Sequence, residues 1–98
     1  KVYEVEIQKD GTYRFASEIR SGNSSSSIYS YMGLYKNDVY ITEVNTNLDS
    51  YDYKYIDHTC VKWDKISLRH RTNNVNYQSS IRNKSVRTAG FIPPVTVL

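Results

Sequence analysis

Residues that staple or punctuate a small protein are scarce in this chain. Its 98 residues include one cysteine, Cys60, two prolines and four glycines. A single thiol excludes an intrachain disulfide, the usual staple of small secreted domains, and that lack fits work in a reducing compartment. Cys60 itself reads as a small apolar core residue, because no paired base stands near it in sequence. No apolar run approaches the roughly 18 residues a spanning helix needs, so no membrane partner is expected. The chain has no nucleophile elbow, no phosphate-cradling glycine loop and no cluster of Cys, His and carboxylates. No metal and no cofactor is therefore expected. A dispersed Ser/His/Asp triad is not excluded in this way, since its members need not be near in sequence. No leader segment is visible, and a start at Lys1 rather than Met reads as a mature or trimmed product.

Tyrosine, by contrast, is plentiful: it occurs ten times against two phenylalanines. Tyrosine forms strands and makes amphipathic contacts, which leans toward a β-rich fold with aromatic surface. Apolar residues make up 39% and charged residues 23%, as in a soluble globular domain. One domain over residues 1–98, a monomer, is expected. The net charge of +3 is uneven. Residues 1–50 hold five Lys and Arg against seven Asp and Glu, net −2, whereas residues 51–98 hold eight against three, net +5. A basic half is either a solvated face or the footprint of an anionic partner such as nucleic acid.

Alternation of apolar and polar residues predicts strands over 2–8, 38–44, 51–58, 59–71 and 75–82. KDGT, 9–12, is a turn signal, and Tyr13 to Phe15 return from it, so an N-terminal β-hairpin is expected. Phe15, Ala16 and Ile19 share i, i+3 and i+4 spacing, which predicts a helix over 15–22 that stops at Gly22. Residues 23–27 and 45–50 read as loops, and Pro93-Pro94 argues against a regular central strand near the C-terminus. The expected class is α+β: a hairpin, then one helix packed on a curved antiparallel sheet of about four strands. The two histidines, His58 and His70, have no ligand company, and His70 falls on the apolar side of its strand, as a buried, hydrogen-bonded histidine would. Asn23 and Asn83 match the short glycosylation acceptor pattern, a weak signal in a chain rich in Asn and Ser.

Several segments then form an ordered set. ASEIRS (16–21), SSSIYSYMGLY (25–35), YDYKYI (51–56), WDKISL (63–68) and VNYQSSIRN (75–83) resemble, in order, segments of the microbial guanyl-specific ribonucleases. Tyr3-Glu4-Val5 resembles the leading Tyr-x-Cys of an effector branch of that superfamily, with Val5 in the cysteine's place. The resemblance implies a ribonuclease fold whose four catalytic positions are Tyr31 and Lys54 on the base side, Lys65 for charge and Asn83 for the acid. Tyrosine with an ordinary pKa of about 10 is no base near neutral pH. A protonated Lys54 is no base either, and Asn83 transfers no proton; only Lys65 keeps the property its place requires, a positive charge. The loss of acid and base together implies a fold without ribonuclease activity.

That combination resembles the ribonuclease-like secreted effectors of powdery mildew fungi, the class called RALPH. The likeness implies a protein secreted by the fungus and acting in the host cell cytoplasm. It would act by binding a host protein, the ribosome or RNA, and be recognised by an intracellular immune receptor. Candidate contact residues are Tyr29, Trp63, Arg69, Arg71, Arg82, Lys84 and Arg87, with aromatic rings for base stacking and cations for phosphate. Most members carry a cysteine pair, which this chain lacks. Two alternatives stand beside this reading: an active ribonuclease using His58 or His70 with Lys54, and an unrelated β-rich secreted toxin or adhesin module.

One residue sharpens the question. NVNYQSSIRNKS, 74–85, alternates like a strand and ends in Asn83 between Arg82 and Lys84. The resemblance explains that uncharged residue as the vacated place of a catalytic acid.

Overall fold

The computed structural model describes residues 3–23, 27–74, 79–88 and 94–98. Side-chain alternation governs these residues, and no helix occurs among them. The strands are β1 (Tyr3–Ile7), β2 (Gly11–Arg20), β3 (Ser30–Lys36), β4 (Val39–Thr46), β5 (Asp52–Cys60), β6 (Lys65–Thr72), β7 (Ser80–Arg87) and β8 (Val95–Val97). They form two antiparallel sheets, a five-stranded one in the order β4-β3-β6-β1-β8 and a three-stranded one in the order β5-β2-β7.

The inner faces share one core. Val5, Ile7, Met32, Leu34, Ile66 and Leu68 come from the larger sheet; Tyr13, Phe15, Ile19, Ile56 and Cys60 come from the smaller. Each large apolar side chain so buried is worth about 1.5–3 kcal/mol relative to exposure. The pairing of β1 with β6 and β8, and of β2 with β5 and β7, means that every central strand is held by residues far away in sequence.

This all-β arrangement overturns the expected α+β class in two places. Residues 15–20 are not a helix but the second half of β2. Tyr13, Phe15, Ser17, Ile19 and Ser21 are all buried, at every second position. Two of those inward positions are serines, which disguise a period of two as helical spacing. Their hydroxyls are satisfied inside: Ser17 Oγ donates to Met32 Sδ across the core at 2.7 Å, and Ser21 Oγ donates to the Asn23 carbonyl at 2.5 Å. Gly22 ends this stretch with a φ of 76°, as a turn glycine does.

Nor is the N-terminus a hairpin, since β1 and β2 lie in different sheets. The short connection crosses the core because its polar groups bond elsewhere. Gln8 N–H donates to the Pro94 carbonyl and Asp10 Oδ1 accepts the Lys62 N–H. Ile7 and Tyr13 are thereby placed in opposed inner faces instead of side by side. In place of one sheet of about four strands, the described residues form two sheets with eight strands. The expected strand start at 75–78, the serines of the 23–27 loop at 24–26, and Pro93 lie outside the described residues.

Candidate functional site

The four positions aligned with a ribonuclease site are distributed over both sheets. Tyr31 pairs with Arg71 on β6, whereas Lys65 begins β6 six residues earlier. At about 3.3 Å per residue the two are about 20 Å apart along the strand. Lys54 on β5 and Asn83 on β7 flank β2 in the other sheet. Lys54 bonds Asp52 at 3.4 Å at the sheet's inner rim, while Asn83 is exposed. No cleft brings the four together.

Asn83 has a local structural explanation. Ala16 pairs with Ser85 and Glu18 with Arg82, so Asn83 and Lys84 together oppose Ser17 alone. This is a β-bulge, and Asn83 sits in it with a φ of 54°, a left-handed conformation that Asn tolerates better than most residues. Its Nδ2 donates to Glu18 Oε1 at 2.5 Å, beside Arg82 Nε at 3.2 Å. These donors, Asn83 first and then Arg82, hold the Glu18 carboxyl below the usual range.

The other nominated residues fall into three places. Tyr29, Arg69 and Arg71 lie on the outer side of the five-stranded sheet with Tyr31. The Arg71 guanidinium stacks 3.8 Å above the Tyr31 ring and forks onto Glu43 at 2.7 and 3.1 Å. Arg69 stacks 4.1 Å over Tyr35 and donates to Asp38 at 2.6 Å. Gly33 lies between these stacks; a Cβ there would come within 3.1 Å of Tyr35 Cε1, so glycine leaves that ring its place. Arg82 and Arg87 belong to β7 of the other sheet. There Arg82 stacks 3.6 Å over Tyr51, and Arg14 stacks 3.8 Å over Tyr55 while forking onto Asp57. Hydrogen bonds from Ser80 and Arg20 pull the Tyr51 hydroxyl below its ordinary pKa, and the bond from Arg14 does the same for Asp57.

The chain's charge asymmetry is thus folded away. Acids of the first half, Glu18, Asp38 and Glu43, pair with Arg82, Arg69 and Arg71 of the second. Three of the eight cations of the basic half are thereby neutralised locally. Tyr35, Tyr40, Tyr51 and Tyr55, missed as contact residues in the sequence, belong to these ladders. Their signal was the two-residue spacing of Tyr31 and Tyr35 about Gly33, opposite Arg69 and Arg71.

Trp63 occupies the third place, the β5–β6 turn. It is 60% exposed and has a φ of 79°. A bulky residue in the left-handed region costs about 1–2 kcal/mol. Dense bonding holds it there: Trp63 N–H donates to Ile7 O at 2.7 Å, Ile7 N–H to Asp64 O at 2.9 Å, and Asp64 N–H to Val61 O at 3.1 Å. The buried Asp64 carboxylate accepts the Val61 N–H at 2.9 Å, and Asp10 accepts the Lys62 N–H at 2.7 Å. The Lys62 ammonium lies 4.7 Å from the indole centroid, and Val61 beside it is 53% exposed.

The two histidines have different surroundings. His70 Nε2 lies 2.9 Å from both Ser30 Oγ and Ser79 Oγ in a half-buried pocket. Burial, and then the charge of Lys84, lower its pKa. His58 stands on β5 with its Nε2 buried and unpartnered. The buried thiol of Cys60 is pushed up to about 11 by desolvation, which makes it a poor nucleophile. Among the described residues no His, Cys, Asp and Glu side chains group as metal ligands, and no helix is long and apolar enough to cross a membrane. The chain matches no described protein family, no curated protein and no solved structure, so the fold and these surfaces stand on their own geometry.

Proposed function

We propose that this protein acts by binding rather than by catalysis, and that the Trp63 turn is its contact site. The observation that carries the reading is the backbone of Trp63: a large ring held in an unfavourable conformation, in solvent, by a bonded turn. Strain of this kind concentrates at ligand clamps and recognition sites. Exposed tryptophan is also the residue type that most often anchors a protein interface. Catalysis has little support, because Tyr31, Lys54, Lys65 and Asn83 are dispersed and Asn83 serves a bulge.

The favoured partner class is a host protein. Arg69, Arg71 and Arg82, named from the sequence as RNA contacts, each engage a carboxylate, which leaves less net positive charge to offer a phosphate backbone. The setting we propose is that of a secreted fungal effector acting in the plant cell cytoplasm and open to detection by an intracellular immune receptor. It rests on the segment likenesses outside 16–21, since that segment was likened to a helix and is a strand.

Proximity labelling inside plant cells tests this, comparing the wild-type chain with Trp63→Ala and with Leu48→Ala, an equally open site at 50% exposure. Partners lost with Trp63→Ala and kept with Leu48→Ala are expected; an unchanged partner set for Trp63→Ala would overturn the assignment. Trp63 is the single tryptophan, so its fluorescence also reports RNA directly. Titration with single-stranded RNA at low salt is expected to leave it unquenched. Saturable quenching that weakens with salt would replace the protein partner with RNA.

A further inference from the structure

Among the described residues the two sheets have four edges, at β4, β8, β5 and β7. An edge strand exposes unpaired N–H and C=O groups, which proteins guard with bulges, proline, brevity or charge. β7 is interrupted by the Asn83 bulge, and β4 by an extra residue, Ile41, between its partners for Leu34 and Tyr35. β8 has three residues and follows Pro94. β5 differs. It has nine residues without proline or glycine, in unbroken register with β2 from Gly11↔Cys60 to Ile19↔Asp52. Among the described residues its backbone pairs with β2 alone; only its Asp52 end meets β4, through the 2.9 Å bond from Thr46 Oγ1. Its guards are side-chain charges alone, Asp52, Lys54 and Asp57, and each is paired within the chain, Lys54 with Asp52 and Asp57 with Arg14.

We infer that β5 is a self-association edge. Two copies join β5 to β5, antiparallel, about a two-fold axis at Tyr55, and so form one six-stranded sheet. This dimer departs from the monomer expected from composition and rests on an edge that is open among the described residues. The inference is independent of the Trp63 turn.

The register follows from the side chains. Tyr53, Tyr55, Asp57 and Thr59 point outward and are exposed, whereas Asp52, Lys54, Ile56, His58 and Cys60 alternate with them. A two-fold normal to the sheet keeps outward residues opposite outward ones, so it passes through a residue position. An axis at Lys54 opposes two ammonium groups, and one at Asp57 opposes two carboxylates; like charges directly opposite are destabilising. An axis at Ile56 sets Lys54 against His58. An axis at Tyr55 pairs the two Tyr55 rings and sets Tyr53 against Asp57. It also sets Asp52 against His58 and Lys54 against Ile56, so no like charges stand opposed. Aromatic cross-strand pairs are among the stabilising ones.

Sedimentation equilibrium on the intact chain tests this: mass should rise with concentration from one chain toward two. Tyr55→Asp, which places two carboxylates on the axis, should hold the mass at one chain, with circular dichroism confirming the fold. Tyr55→Cys should form an interchain disulfide with oxidised glutathione, two thiols giving up two electrons and two protons to it. Tyr53→Cys and Thr59→Cys, off the axis, should cross-link far less. The buried native Cys60 is common to all. A wild-type chain monomeric at every concentration, or equal cross-linking at all three positions, overturns the inference. If Tyr55→Asp fails to fold, the cysteine series decides alone.

Discussion

The two sheets bury very different inner faces. The larger sheet contributes an aliphatic surface, with Val5, Ile7, Met32, Leu34, Ile66 and Leu68 in the core. The smaller contributes a mixed surface: Tyr13, Phe15, Ile19, Ile56 and Cys60 with the hydroxyls of Ser17 and Ser21 in the interior, and Lys54 and His58 toward its rim. The first pattern is what a scaffold needs. The second carries the Asn83 bulge on one edge and the unbroken β5 on the other, so the proposed self-association belongs to the smaller sheet.

The sharpest way to break that contrast is to cut into both halves of the core. Phe15→Ala should cost about 3–5 kcal/mol and Leu34→Ala about 2–5 kcal/mol in urea unfolding. One transition should be seen in each case, because the two inner faces cover each other; a separate early transition for Phe15→Ala would show the smaller sheet to be an independent unit. A gentler probe is the bulge. Asn83→Val should cost about 1–2 kcal/mol through its left-handed backbone, whereas Asn83→Gly, which relieves the backbone but loses the bond to Glu18, should cost less. Equal losses would place the cost in the side-chain bond instead.

The smallest expected effect is titration of His70, which lies between the sheets. Its pKa is lowered in the folded chain, so the unfolded chain binds more protons in the window below the ordinary value of about 6.5. Stability should therefore be complete above that value and decline as the pH falls through the window. His70→Asn should flatten the decline across that range. A slope identical to wild type would assign the acid sensitivity to Glu18 and Asp57, whose lowered values act in the carboxylate range.

These contrasts also explain what the sequence could tell. β1, β5 and β6 were legible because apolar and polar residues alternate along them; β4 was legible from its sequence alternation although Ile41 interrupts its register and Val39 to Thr42 are all exposed. β2 was not, because Ser17 and Ser21 are polar residues in apolar places, and their partners Met32 and Asn23 follow no local rule. β3 was blurred by Gly33, whose reason is the Tyr35 ring above it. Trp63 was named as a contact residue, but its backbone was not foreseeable, since the bonds that set it come from Ile7 and Asp10. The arginines were named without their acids because Arg71–Glu43, Arg69–Asp38 and Arg82–Glu18 span 28, 31 and 64 positions. Asn83, read as an empty catalytic place, is the corner of a bulge.

The strand order has a kinetic consequence. β1 finds its partners in β6 and β8, and β2 in β5 and β7, so β3–β4 is the only pair of successive strands that meet directly among the described elements. Loop closure over such distances makes folding slow. A chain still emerging from a ribosome or a translocation pore would hold only the β3–β4 hairpin until β5 was free to join β2 and β6 to join β1 and β3; β7 and β8 would add the last edges. A protein built this way stays threadable through its first half and closes in two stages, the edges β7 and β8 last.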